Sequence, residues 1–144
     1  MAKTEKIISI EEIRQKLAPV FKHPELRLAL LFGSTLSGKL REQSDVDLAF
    51  LYNRPEDVVA LTNSVIRLLH TDNVDVVDLK KANPLLKFAI AKNCKILYEK
   101  KQGMFNEFYS LAFRMYVDTK KLRSAQETAI RRFLESRGRR EPGR

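Results

Sequence analysis

Cysteine occurs once in these 144 residues, at Cys94. A single thiol excludes an internal disulfide and any zinc cluster built from the chain's own cysteines. The residue reads instead as a small buried hydrophobe at a helix end. Glycine and proline number five each, and neither an internal repeat nor a low-complexity block is present, which excludes a repeat array. No apolar run approaches the roughly 20 residues that a membrane-spanning helix needs; the run Leu28–Phe32 is ended by Gly33-Ser34. The opening MAKTEKIISIEE turns acidic where a signal peptide carries its apolar stretch, so export is not expected and a cytoplasmic setting is. Acidic residues are the minority charge, 18 against 27 Lys and Arg, for a net charge of +9.

What remains is the balance of a folded domain: 44% hydrophobic and 31% charged residues, in a length suited to one core and too short for a second domain of any size. The positive excess is uneven. Residues 101–144 hold 11 basic and 5 acidic residues, and the first hundred are nearly balanced. Residues 136–144, SRGRREPGR, form a basic tail expected to fray, and nucleic acid is expected to be met only through it, if it is more than solvated charge. The organisation that follows is a core over residues 1–100, a long helical segment over 101–135 that either belongs to the same domain or docks on a partner, and the tail.

Ser9-Ile10-Glu11-Glu12 has the form of a capping box, and Ile10, Ile13, Leu17 and Phe21 follow at helical spacing, with Pro19 bending or ending the helix. LRLALLF (26–32) and DVDLAFLY (45–52) read as strands, with a short helix expected in STLSGKLRE (34–42) between them. RPEDVVALTNSVIRLLH (54–70) is an amphipathic helix with Pro and two acids in its first turn. NVDVVDL (73–79) is a third strand, Asn83-Pro84 opens a helix through Lys92, and KILYE (95–99) is a fourth strand. From Met104 onward Phe105, Phe108, Leu111, Ala112, Met115, Leu122, Ala125, Ile130 and Phe133 recur at helical steps, as one long helix or as two joined at a kink. Strands alternating with helices make a mixed α/β domain with one small sheet. The last helix is longer than one sheet face requires, so part of its apolar stripe is expected to dock on another protein.

Two aspartates break the second strand. Alternate side chains leave a strand on opposite faces, so Asp45 and Asp47 share one face while Val46 and Leu48 turn to the core. Two carboxylates so close repel unless a cation or solvent screens them. A hard divalent ion is the natural occupant, because magnesium takes one or two protein carboxylates together with phosphate oxygens. Gly33-Ser34 falls where a strand gives way to a turn that offers backbone N–H groups to an anion, with the Ser hydroxyl as a further donor. Lys39 and Arg41 in the same connection either neutralise a triphosphate or are plain surface charges. His23 and His70 sit at helix ends or in loops, far apart in sequence, and are not expected to hold a metal. Tyr109 and Tyr116 read as packing or interface residues.

Gly33-Ser34, ten residues, then Asp45-Val46-Asp47 is similar to the GSx10DxD motif of polymerase-beta-like nucleotidyltransferases. Together with LFGS, SDVDLAF, VDVVDL, NPLLKFAIAKNCKILYE and the long terminal helix, it resembles the minimal nucleotidyltransferases that act as antitoxins to HEPN ribonuclease toxins, over about Ile10 to Leu134. Where many members carry Ala-Arg-Gly this chain has Leu36-Ser37-Gly38, and Lys39 or Arg41 is the replacement cation. The resemblance implies a small sheet flanked by helices and AMP transfer from ATP to a tyrosine of the partner toxin. It also implies two magnesium ions held by Asp45, Asp47 and a third carboxylate, with Gly33 and Ser34 on the triphosphate. Asp75 and Asp78 are the candidates for the third. They face opposite ways, and Asp75, flanked by Val74 and Val76, is favoured because a lone acid in mid-strand is costly without a task. Alternatives are a steric antitoxin, a different acceptor, or antibiotic modification. The last is disfavoured because no second domain would enclose an aminoglycoside and a cationic drug would meet a basic protein.

Overall fold

The computed structural model describes residues 7–33, 39–41 and 45–139. Strand β1 (Ile7–Ser9) leads into α1 (Ile10–Lys16), whose N-cap is Ser9, its hydroxyl accepting the Glu12 N–H at 3.1 Å. The helix stops at Lys16, and Pro19 lies in the first turn of a separate one-turn helix, α2 (Ala18–Phe21), where its missing N–H costs nothing. Strand β2 (Leu26–Phe32) follows, then β3 (Lys39–Arg41), β4 (Val46–Tyr52), α3 (Val58–Leu69), β5 (Val74–Asp78), α4 (Pro84–Lys92), β6 (Cys94–Glu99) and α5 (Met104–Arg139).

The helix expected over 34–42 is not what forms at Lys39–Arg41. Those residues are a strand, paired antiparallel with Ile7–Ser9, while 34–38 and 42–44 lie outside the described residues. A partner thirty residues away overrides local propensity here. Strand β4 begins at Val46, so Asp45 precedes it instead of lying within it. Helix α3 begins at Val58. Pro55 and Glu56 stand before it, and Asp57 is its cap, accepting the Ala60 N–H at 3.1 Å. Helix α5 runs unbroken for 36 residues.

Strand order in the main sheet is β5-β4-β2-β6, with β4–β5 parallel and the other pairs antiparallel. Period-two alternation sends β4 to both faces. Val46, Leu48, Phe50 and Tyr52 join Ile13, Leu17, Val65 and Leu69 beneath α1 and α3, whereas Ala49 meets Leu30, Leu79 and Ile90 beneath α4. The buried runs of β2 and β4 thus serve two cores, one per face. Cys94 opens β6 on the second face, half-buried, and burial pushes its thiol up to about 11. Alkylation by iodoacetamide at pH 7.5 is therefore expected to be slow in the native protein and fast in denaturant; equal rates in the two states would show that the thiol is open to solvent.

Candidate active site

Asp47 leaves β4 on the face of Ala49 and Leu51. The antiparallel ladder places Phe32 opposite it, and the parallel ladder places Asp75 opposite it on the other side. Directly paired positions project to the same face, so Phe32, Asp47 and Asp75 form a row across β2, β4 and β5. Asp45, two residues before Asp47 and exposed, stands at the entrance to this row. The electrostatics register the crowding. Asp47 holds its proton more tightly than an ordinary carboxyl, first because burial penalises its charge, then because of the negative charges of Asp75 and Asp45 and a hydrogen bond to Asp75.

Gly33 closes the row from above. Its φ is +84°, and a Cβ built on it would lie 2.1 Å from Oδ2 of Asp47. Only glycine satisfies both the turn and the carboxylate beneath it. Asp78 is elsewhere. It pairs with Phe50, and its Oδ1 accepts the Lys80 N–H at 3.0 Å, which fixes the turn after β5. Lys39 and Arg41 lie on β3, but their side chains, and all of Ser34, lie outside the described residues.

Sequence reasoning missed one neighbour of this row. A cavity of about 400 Å³ lies between Phe32–Gly33 and α4, lined by Leu86, Ala89, Ile90 and Asn93. Its signal was present as the three- and four-residue spacing of those α4 positions, but nothing local says that α4 crosses the end of β2. A larger cavity, about 570 Å³, lies against α2 and α3, and none of the three carboxylates lines it. His23 borders that cavity with Nε2 3.6 Å from a Glu56 carboxylate oxygen, and His70 is the left-handed cap of α3. Tyr109 and Tyr116 both pack against Phe88 of α4, with ring centroids 6.2 and 4.5 Å away.

The family model described as "Polymerase beta, Nucleotidyltransferase" matches residues 15–103, the stretch that carries Gly33, Asp45, Asp47 and Asp75. The chain belongs to this nucleotidyltransferase family. It is 26% identical over 147 aligned residues to the protein adenylyltransferase MntA of Aphanizomenon flos-aquae (strain 2012/KM1/D3), covering 93% of this chain and 98% of that one. A solved complex of a tri-AMPylated Shewanella oneidensis HEPN toxin with an MNT antitoxin contains a chain 25% identical, with a TM-score of 0.69 over 84% of this chain and 98% of that one. A toxin–antitoxin structure with AMP-PNP contains a chain 27% identical, with a TM-score of 0.70 over 85% and 98%.

For a nucleotidyltransferase the question is whether the row suits a hard cation. Among the described residues no three His, Cys, Asp or Glu side chains stand already arranged around a metal ion. The donor set nevertheless fits one. Asp47 and Asp75 are carboxylates on adjacent strands whose mutual repulsion a divalent cation would relieve, and Asp45 and Asp75 are exposed, with freedom to close on it. No helix is long and apolar enough to cross a membrane among the described residues.

Proposed function

We propose that this chain is a magnesium-dependent adenylyltransferase that moves AMP from ATP to a tyrosine hydroxyl of a HEPN ribonuclease toxin and thereby neutralises it. The observation that carries the reading is the parallel register setting Asp75 beside Asp47 under Gly33. The MntA relative, itself named a protein adenylyltransferase, and the complex holding a tri-AMPylated HEPN toxin support the choice of AMP and of partner. The cytoplasm, where ATP is supplied, is the setting we assign.

Asp45, Asp47 and Asp75 would hold the magnesium, two ions in the full site, which supplies charge neutralisation at the α-phosphate when bound. The backbone at Gly33 and the Ser34 hydroxyl bind the triphosphate, with Lys39 and Arg41 as the cations of the connection that follows. The acceptor oxygen bonds to the α-phosphorus as the bond from that phosphorus to the pyrophosphate oxygen breaks. Asp75, on the edge strand and exposed, would complete the metal site on the acceptor side or take the proton of the acceptor hydroxyl. Transfer of label from [α-³²P]ATP to a HEPN partner in the presence of magnesium tests this reading. We expect labelling by the parent chain and none by the Asp45→Asn, Asp47→Asn double variant.

A second reading, inhibition by contact alone, is favoured by α5. Leu122, Ile130 and Leu134 recur on one face of the helix and are each more than half exposed. We assign this stripe to the partner under either reading, and leave nucleic acid only to the basic tail. Leu122→Ser with Ile130→Ser is expected to shift stability by less than about 0.5 kcal/mol, since neither side chain is buried, yet to weaken partner binding in calorimetry. Unchanged binding would remove α5 from the interface. Protection of cells from the toxin by the Asp45→Asn, Asp47→Asn variant at the parental level would establish the contact reading.

A further inference from the structure

The far end of β4, away from the carboxylates, borders a third cavity with a different chemistry. Leu51, Tyr52 and Asn53 meet α5 across a space of about 300 Å³. Phe108, Ala112 and Met115 give it an apolar wall, while Arg27, Lys80 and Lys87 reach it from β2, the turn after β5 and α4. Glu107 is the one acid in this lining. Three cations and one acid thus line the cavity, which leaves its polar side net positive beside an apolar wall.

The backbone positions two of these cations. The β2–β4 register shifts between Leu26 and Leu28, so Arg27 is the extra residue of a bulge, a device that re-aims a side chain. Lys80 is held in place, its Nζ donating to the Asn53 carbonyl at 2.6 Å and its backbone N–H to Asp78. Neither Arg27 nor Lys87 lies within ion-pairing distance of a carboxylate among the described residues. The volume falls at the lower end of the range for small-molecule sites. The chain's own basic tail has the wrong charge to fill it.

We infer that this cavity binds a small organic anion, with an apolar or aromatic body against α5 and its carboxylate, sulfonate or phosphate among Arg27, Lys80 and Lys87. The site is separate from the nucleotidyltransferase row and does not depend on that row's activity.

The aromatic sulfonate 8-anilinonaphthalene-1-sulfonate is the probe, titrated by fluorescence into the full chain beside its uncharged relative N-phenyl-1-naphthylamine. One saturable site is expected for the sulfonate, with the neutral compound binding poorly. Loss of one charge-assisted hydrogen bond in Arg27→Glu or Lys87→Glu should weaken the sulfonate at least about tenfold. Leu122→Ser, on the exposed α5 stripe, should leave it unchanged. Circular dichroism checks that each variant folds. Should a charge reversal fail to fold, Lys87→Ala replaces it, and Met115→Trp, which fills the cavity, should abolish binding. The inference is overturned by absence of a saturable site, by equal affinity for the neutral compound, by unaffected charge variants, or by loss in Leu122→Ser.

Discussion

Asp47→Asn should lower nucleotide transfer by at least ~100-fold, the scale of losing a central electrostatic contact, and at the same time should raise the melting temperature of the metal-free protein at neutral pH. The two effects have one cause. The folded-state pKa of Asp47 is raised, mainly by burial and then by Asp75 and Asp45. Its ionised form is therefore less welcome in the fold than in the unfolded chain. The resulting destabilisation is absent below the unfolded-state pKa, grows as the pH climbs through the raised folded-state value, and is complete above it. Asparagine keeps the shape without the charge, so the stability gain should be present at pH 7 and vanish in acid. Thermal melts across pH check this, and equal melting temperatures at pH 7 would contradict it. Magnesium should stabilise the parent and leave the variant nearly unmoved.

Gly33→Ala should be the most damaging single-methyl change near the site. A positive φ costs a residue with a Cβ about 1–2 kcal/mol, and the new carbon would fall 2.1 Å from Oδ2 of Asp47. The carboxylate must move, so transfer activity falls with stability. Gly33→Asn separates the two causes. Asparagine tolerates positive φ better than alanine but keeps the clash, so part of the stability should return while activity stays low. Recovery of activity in Gly33→Asn would mean that backbone strain, and not displacement of Asp47, is responsible.

How far the sequence alone carries can be read from particular residues. LRLALLF was legible as a strand because its apolar run is bounded by Gly33, and α4 because Asn83 caps it, accepting the Leu86 N–H at 2.8 Å. The choice of Asp75 over Asp78 followed from its place in mid-strand between Val74 and Val76, since period-two geometry says only that the two acids face opposite ways. Its position beside Asp47 did not, since a one-residue slip between β4 and β5 would have turned Asp75 to the other face. Strand β3 was illegible for a related reason, as its neighbour in that small sheet is β1, about thirty residues earlier. The cavity beside Gly33 and the bulge at Arg27 both arise where distant segments meet. The continuity of α5 past the core was hidden because the apolar stripe that suggested it is only partly used in packing, with Ala112 buried and Leu122 exposed.

The most direct test of the site is calorimetric titration of magnesium and a non-hydrolysable ATP analogue into the parent, Asp75→Asn and Asp78→Asn proteins. Asp78 serves a turn that asparagine can also cap, so that variant should bind as the parent does, while Asp75→Asn should show little or no metal-dependent heat. Parental binding by Asp75→Asn would contradict the assignment of a three-carboxylate site beneath Gly33.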